Sequence, residues 1–503
     1  MSPPVESAVT PDAEQPIVNT LENRDSATCA RAFAAQRYTS KESGRLGLIV
    51  WRGEFYEWMG GHWEHRNKNE VEKAAIEWVE GAKVQTISAK GGAGEEALGL
   101  TAGEVKDVVW MVERLYASSA THEPFWITDA GRDGPDIDLD HAVVFRDRVI
   151  DVKATAEHRK AGGAGWVGSK ATPDLFTTTT CRVKFEEGGK CERWQRCGEE
   201  WGNGQDGHFE LIERVGGHAL MRTRKYRRWV HQFGKSDCGK GILTNTVLKG
   251  LLPDTAFFST RMMDLFDQFG LDGAERARVF VLTEGTHMEK GLGFQVASTI
   301  KTIIGDVGRV NIKHVRALRN VHFPCLTFVQ SNGALNLPND HGSMAKKAVV
   351  VPYTVSFNQR PDRSLHDTLT RELPGIAYRL VEAAVRLEME EEDAKKFPVL
   401  PEAKKILDEY NEDTNPLDVF LEWGFVRFPK GFVPNEMLRR YFHAWERERG
   451  KPCRMIDDKP LTVEKLPREL ERRVSWNLRC GRRKSDDTYG VYGISPRADK
   501  ALR

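Results

Sequence analysis

The sequence predicts an α/β fold centred on a parallel sheet flanked by helices, and three observations carry that expectation. Residues 234–241 read Gly-Lys-Ser-Asp-Cys-Gly-Lys-Gly, the phosphate-binding pattern G-x-x-x-x-G-K with Lys240 as its lysine. In such a loop the glycines let main-chain N–H groups curl around phosphate, the lysine adds a point charge, and the following helix presents its positive end. The second observation is the frame: Tyr226 to Phe233 (YRRWVHQF) reads as a strand leading in, and Ile242 to Leu252 (ILTNTVLKGLL) as a helix leading out. The third is a series of short apolar runs, Arg278 to Leu282 (RVFVL), Cys325 to Gln330 (CLTFVQ) and Ala348 to Pro352 (AVVVP), each with the character of a buried parallel strand.

Ligands of such sheets sit at the carboxyl ends of the strands, so the residues there are the candidates for chemistry. The loop itself supplies Gly234, Lys235, Ser236, Asp237, Cys238, Gly239, Lys240 and Gly241. A register ending at Lys235-Ser236 fails, because it needs glycine where Trp229 stands. Glu284 follows the run Arg278 to Leu282, where a carboxylate can hold Mg²⁺ through water and polarise an attacking water. Asn332 follows the run Cys325 to Gln330, where an amide can orient that water and sense a γ-phosphate. One position departs from the pattern: Gly241 replaces the Ser or Thr whose hydroxyl binds Mg²⁺. Thr244 lies a turn further on, too far to substitute, and Asp237 reads as a turn residue.

The remaining elements follow from punctuation and periodicity. Residues 1–28 are expected to be disordered, and 29–204 to form an N-terminal α+β domain. Its tryptophan-rich hairpin (Trp51, Tyr56, Trp58, Trp63) interleaves with few cations, which favours a hairpin core over a base-stacking platform. Glu104 to Ala117 reads as a helix with Val105, Val108, Val109, Val112, Leu115 and Tyr116 on one apolar face. Gly91 to Gly94 and Gly162 to Gly168 read as exposed loops. The nucleotide-binding core spans 205–393, and a charged link, Glu388 to Lys396 (EMEEEDAKK), reads as a solvated face or linker. In the last module, 394–503, Leu438, Tyr441, Phe442 and Trp445 share one helix face, and Arg479 to Ile494 reads as a two-stranded wing tipped by Arg482, Arg483 and Lys484. That order suits a winged helix, and the basic excess from Lys465 to Arg503 is the local footprint that DNA phosphates need.

A length of 503 residues suits about three domains. The net charge of +1 excludes a wholesale polyanion binder, so any nucleic-acid surface is local. No stretch approaches the roughly 18 apolar residues of a membrane span, and the first residues lack a signal-peptide core. The expectation is a cytoplasmic protein with no membrane partner. The eight cysteines are scattered, which fits reduced thiols. Cys181, Cys191 and Cys197 with His208 lack the close-spaced pair of a zinc knuckle, so no zinc is expected there.

With these motifs in this order the chain resembles the superfamily 3 helicases, in the branch formed by the helicase halves of phage and plasmid primase–helicases and the poxvirus primase–helicase. The resemblance runs over roughly residues 30 to 495. Between the acidic and asparagine strands that family carries K-x-x-x-G-D, matched by Lys301 to Asp306, and then a basic hairpin, matched by Asn311 to Asn320 (NIKHVRALRN). A basic pair before the last strand, normally two arginines, is here Lys346-Lys347, and Glu372-Leu-Pro-Gly-Ile376 opens the closing helix. Trp58 to Trp63, the threonine run of Asp174 to Cys181, Cys191 to Trp194 and Gly216 to Leu220 are similar to the domain that precedes the motor.

The resemblance implies an AAA+ type P-loop core working as a ring, with a hexamer expected, on single-stranded or forked DNA during replication of a phage, plasmid or mobile element. ATP and Mg²⁺ would sit between subunits, with Lys346 or Lys347 of the neighbour as the finger. Lys313, His314, Arg316 and Arg319 would grip DNA in the pore. No primase module is visible in the sequence, so priming would fall to a separate primase or polymerase. Two departures, Gly241 and the lysine finger, both point toward slower hydrolysis, since lysine offers a point charge where arginine clamps phosphate with two donors. The alternative is a degenerate nucleotide- and DNA-binding ring serving as initiator, loader or scaffold. A P-loop kinase is the third reading, and nothing in the sequence resembles its acceptor site.

Overall fold

Three short polar side chains start the helices of the N-terminal unit. Asp25 accepts from the N–H groups of Ala27 and Thr28 and opens α1 (Ser26–Tyr38). Asn67 with Glu70 opens α2 (Lys68–Gly81), and Thr101 with Glu104 opens α3 (Ala102–Leu115), both as reciprocal capping boxes. The computed structural model describes residues 20–500 apart from 42, 88–92, 128–135, 224, 284–291, 306–307, 312–317, 333–334, 336–342, 360, 392–395, 415, 451–452, 454–460 and 474–475. The chain divides into two units, the first comprising 1–135, 145–148 and 169–180, the second the remainder.

In the first unit β1 (Leu48–Trp51), β2 (Glu54–Trp58) and β3 (Trp63–Arg66) form an antiparallel meander, extended by the two-residue strand Ala117–Ser118 beside β1. Trp51, Tyr56 and Trp63 are buried with Ile49 and Phe176, and the Trp63 indole donates to the Leu175 carbonyl at 2.9 Å. These three aromatic residues are therefore core, as their interleaving with few cations implies. A second core joins Phe33, Val50, Val71 and the α3 face Val105, Val108, Val109 and Val112.

Three expectations need correction in this unit. The helix stops at Leu115, which is exposed, because Ala117 is drawn into the sheet beside Val50. Gly94 lies in a strand, β5 (Ala93–Ala97), antiparallel to β4 (Lys83–Ile87) and opposite Thr86, so ladder bonding overrides the loop preference of glycine. Thr20–Leu21 and the start of α1 fall within the stretch expected to be disordered; Leu21 is buried and Asp25 supplies the cap.

The second unit is organised by five parallel strands: β6 (Trp229–Gly234), β7 (Phe257–Arg261), β8 (Val279–Thr283), β11 (Leu326–Ser331) and β12 (Ala348–Tyr353), with β9 (Gly308–Val310) and β10 (Leu318–Val321) pairing apart as an antiparallel ribbon. The sheet order is β7-β8-β11-β6-β12. Val279 to Leu282 are buried throughout, as a continuous apolar run between helix layers implies, and Trp229 to Gln232 are buried as well although His231 and Gln232 are polar. Helix α4 (Glu192–Gly202) has no side-chain cap of its own; the Glu372 carboxylate accepts from the N–H groups of Arg193 and Trp194 at 2.9 and 3.0 Å instead. The Leu-Pro-Gly-Ile segment after Glu372 begins the long helix Leu373–Met389.

The segment after the loop departs from the expected ordinary helix. Ile242–Leu248 is wound as a π-helix, followed by one α-turn, Lys249–Leu251, and Lys249 N–H donates back to the Thr244 carbonyl. This winding buries Leu243, Thr244, Thr246, Val247 and Leu248, and Gln330 and His366 meet the two threonine hydroxyls. The charged link is also less solvated than its composition implies. Glu388 is buried, accepting from the Tyr226 hydroxyl at 2.7 Å and Lys225 Nζ at 3.2 Å, and Lys396 is buried as well.

The C-terminal elements share one core. Phe420 from Pro416–Gly424, Leu438, Tyr441, Phe442 and Trp445 from Asn435–Arg449, and Leu466 and Leu470 from Leu466–Arg473 pack with Val491 and Ile494. The four residues placed on one helix face are the buried ones of Asn435–Arg449. The two strands read as a wing, β14 (Arg479–Arg482) and β15 (Tyr489–Pro496), gain a third, β13 (Phe425–Pro434). Pro429 and Gly431 hide β13 from sequence reading, and the ladder accommodates them through a register shift between Arg427 and Phe432. No described helix is long and apolar enough to cross a membrane.

Candidate functional site

The glycine-rich loop leaves the carboxyl end of β6, which lies between β11 and β12. Asp237 at φ +54° and Gly239 at φ +88° give the left-handed turns that curl it. Two glycines are fixed by close packing. A Cβ on Gly234 would lie 2.2 Å from the Tyr353 carbonyl, and one on Gly239 would lie 2.4 Å from the Trp201 indole nitrogen. Cys238 is buried beneath the loop, while Lys235, Ser236 and Asp237 are exposed on it. Phe357 N–H donates to the Asp237 carbonyl at 2.8 Å, which fixes this residue as a turn former.

Lys240 turns into the loop. Its Nζ donates to the carbonyls of Gly234 and Lys235, the latter at 2.6 Å, and to Asn332 Oδ1 at 2.9 Å. All three acceptors are neutral oxygens, so among the described residues no carboxylate balances the ammonium charge in its hydrogen-bonded seat. The structure thus brings together Lys240 and Asn332, two residues 92 positions apart in the chain.

A buried polar layer beneath the loop holds these strand ends in register. Gln330 Nε2 donates to Gln232 Oε1 and Thr244 Oγ1, both at 2.9 Å, and Gln232 donates to the Tyr353 hydroxyl at 3.3 Å. His231 bonds the Ser331 hydroxyl at 2.6 Å and the Tyr410 hydroxyl at 2.7 Å. Burial pushes the His231 imidazole down to about 3, and the nearby Lys240 charge adds to that, so the ring stays neutral. Sequence reading missed Gln232, Gln330, His231 and Tyr410. Polar residues late in apolar strands were the available signal, but their partners are set by strand order.

The other candidates fall as follows. Lys346 and Lys347 end the short helix Ser343–Lys347 just before β12. Ala348 pairs with Trp229 and Tyr353 with Gly234, so this pair lies at the sheet edge opposite the loop, five residue steps or about 16 Å away. Arg319 lies in β10, and Lys313, His314 and Arg316 lie outside the described residues between β9 and β10. Glu284 also lies outside the described residues, directly after β8. At the wing tip Arg482 pairs with Asp487 and Arg483 with Asp486, while Lys484 is exposed.

Cys181, Cys191 and Cys197 are buried, and burial pushes their thiols up to about 12, 11 and 12. His208 bonds the Pro352 carbonyl, and among the described residues no cluster of three or more His, Cys, Asp or Glu side chains could hold a metal ion.

No protein-family profile matches the chain, and no curated protein matches it in sequence. Among solved structures, the fold is similar to the apo structure of the NrS-1 C-terminal region, with a TM-score of 0.53 at 12% identity over 94% of this chain and 100% of that one. The A form of the same region gives a TM-score of 0.50 at 11% identity with the same coverage, 94% and 100%. The likeness is one of fold.

Proposed function

We propose that the chain is an ATP-dependent DNA helicase of superfamily 3 with an AAA+ type core, working as a homo-oligomeric, hexameric ring in replication of a phage, plasmid or mobile element. The observation that carries this reading is Lys240, held by three neutral oxygens at the carboxyl edge of a parallel sheet, beside an asparagine delivered by the neighbouring strand. On nucleotide binding, the loop N–H groups and Lys240 Nζ would exchange their present partners for phosphate oxygens, which releases the Asn332 amide to orient water. Mg²⁺, when bound with the nucleotide, would neutralise charge on the phosphates, with Glu284 acting through water. Lys346 and Lys347, at the far edge of their own sheet, could serve only the loop of a neighbouring copy, which supports the ring.

The hairpin bracketed by β9 and β10 and a winged-helix reading of the C-terminal elements supply the proposed DNA contacts, through Lys313, His314, Arg316 and Arg319 and through Arg482, Arg483 and Lys484. The deciding experiment is Mg²⁺-dependent ATP hydrolysis with and without single-stranded DNA, alongside unwinding of a fork and particle size. Stimulated hydrolysis and a ring support the helicase. Gly241 and the lysine pair favour a second reading, a ring that binds nucleotide and DNA as initiator, loader or scaffold. Nucleotide binding without DNA-stimulated hydrolysis would select it.

A further inference from the structure

Gly241 stands where a hydroxyl is expected, yet its backbone does not call for glycine: φ −77° and ψ −10° suit any residue. What distinguishes the position is the space above it. A Cβ built on Gly241 would lie 3.0 Å from Asn245 Nδ2 and 3.8 Å from its Cγ. Side chains on a helix lean toward its N-terminus, so Asn245 reaches back over the turn and brings its carboxamide against the space that a side chain at 241 would enter. The flanking Thr244 and Thr246 are buried and bonded inward, to Gln330 and His366. Asn245 is exposed, and among the described residues no hydrogen bond engages its side chain.

We propose that the Asn245 carboxamide oxygen supplies the Mg²⁺ contact that a hydroxyl at 241 would otherwise make, and that glycine at 241 is what leaves room for it. The inference rests on reading 234–241 as an ATP site. A carboxamide oxygen is a hard, neutral ligand, as a hydroxyl is, and Mg²⁺ beside phosphates takes only one or two protein ligands, with waters completing its shell. Half a turn about the Cβ–Cγ bond exchanges Oδ1 for Nδ2, so the atom nearest the cation is the oxygen. Residues 241 and 245 form a coupled pair. Any Cβ at 241 makes the amide give by a few tenths of an ångström, and a hydroxyl there would compete with it for the same cation.

The test is the affinity of the full chain for a fluorescent ATP analogue, titrated with Mg²⁺ and again with EDTA. Wild type should bind more tightly with Mg²⁺, Asn245→Ala should lose that gain by roughly tenfold, and the EDTA affinity should stay within about twofold, because the phosphate contacts of the loop are untouched. Gly241→Ser in the Asn245→Ala background should restore the Mg²⁺ dependence. Full Mg²⁺ dependence in Asn245→Ala would overturn the proposal, and so would an equal loss in EDTA, which would make Asn245 a scaffold of the loop. Wild type that binds no nucleotide under either condition would instead sink the ATP-site reading itself.

Discussion

The glycine-rich loop at 234–241 and the tip between β14 and β15, the wing tip of the sequence reading, both crowd cations onto a tight reversal of the chain, and they treat the charge in opposite ways. In the loop, Lys240 meets two main-chain carbonyls and an amide oxygen. At the wing tip, Arg482 and Arg483 each meet a carboxylate, and the Arg483 guanidinium holds the Asp486 carboxyl well below its usual range. Counting basic residues gives the wing tip the stronger claim on a phosphate ligand. Counting compensated charge reverses that order, because a cation already paired offers little further attraction, whereas one held by dipoles retains its full field.

The sharpest way to break this comparison is Lys240→Ala. Nucleotide affinity should fall by roughly a hundredfold, about 2.7 kcal/mol, since the remaining loop donors are neutral. Affinity unchanged by that substitution would show the Lys240 charge to be no attractant.

Next in size is the hairpin. Replacing Lys313, Arg316 and Arg319 together by alanine should weaken single-stranded DNA binding and reduce the salt slope of log affinity by roughly two to three. An unchanged slope returns the segment to an ordinary solvated loop.

Acid stability separates the buried polar layer from the surface. An unfolded histidine takes up its proton near the ordinary 6.5, whereas His231 in the fold resists until about 3. Between those values the unfolded chain binds the extra proton, so stability falls as pH falls, by up to about 1.4 kcal/mol per unit from this residue. His218, pushed down to about 4 by burial, acts in the same direction. Denaturant unfolding at pH 7.5 and pH 5 should show the decline, and His231→Gln should flatten it; identical slopes in the two proteins would remove His231 as a source.

At the wing tip the two acids are the informative targets. Asp486→Asn with Asp487→Asn should free both arginines and tighten DNA binding several-fold at low salt, with the gain vanishing as salt screens it. Removing Arg482 and Arg483 should change affinity less than removing the hairpin cations, and a larger loss would place the wing ahead of the hairpin. The smallest effect is expected from Gly241→Ser. Its neighbour is the free end of a flexible, exposed side chain, so the fold should tolerate it. Hydrolysis at low Mg²⁺ should stay within about twofold of wild type as the serine takes over from Asn245. A large rise there would mean that Gly241 leaves the metal without a ligand from this helix.

The sequence by itself determined the loop, its lysine, its missing hydroxyl and the strands that carry the candidate residues. Trp229–Gly234, Val279–Thr283, Leu326–Ser331 and Ala348–Tyr353 lie within three residues of their reading at every end. Such features are local: an apolar run, a glycine at a left-handed turn and a cap are each decided by a few neighbouring residues. Among the strands that stayed hidden, two did so for equally local reasons, Phe257–Arg261 because it is short and ends in polar residues, and Phe425–Pro434 because proline and glycine interrupt it. Only the tertiary structure decided which strands are neighbours, and with them the meeting of Lys240 with Asn332 and of Gln330 with Gln232 and Thr244. It also decided the π-winding that buries Thr244 and Thr246 while leaving Asn245 beside Gly241. The physical reason is that strand order and burial are set by how whole faces pack against one another, a condition that no short window of sequence contains.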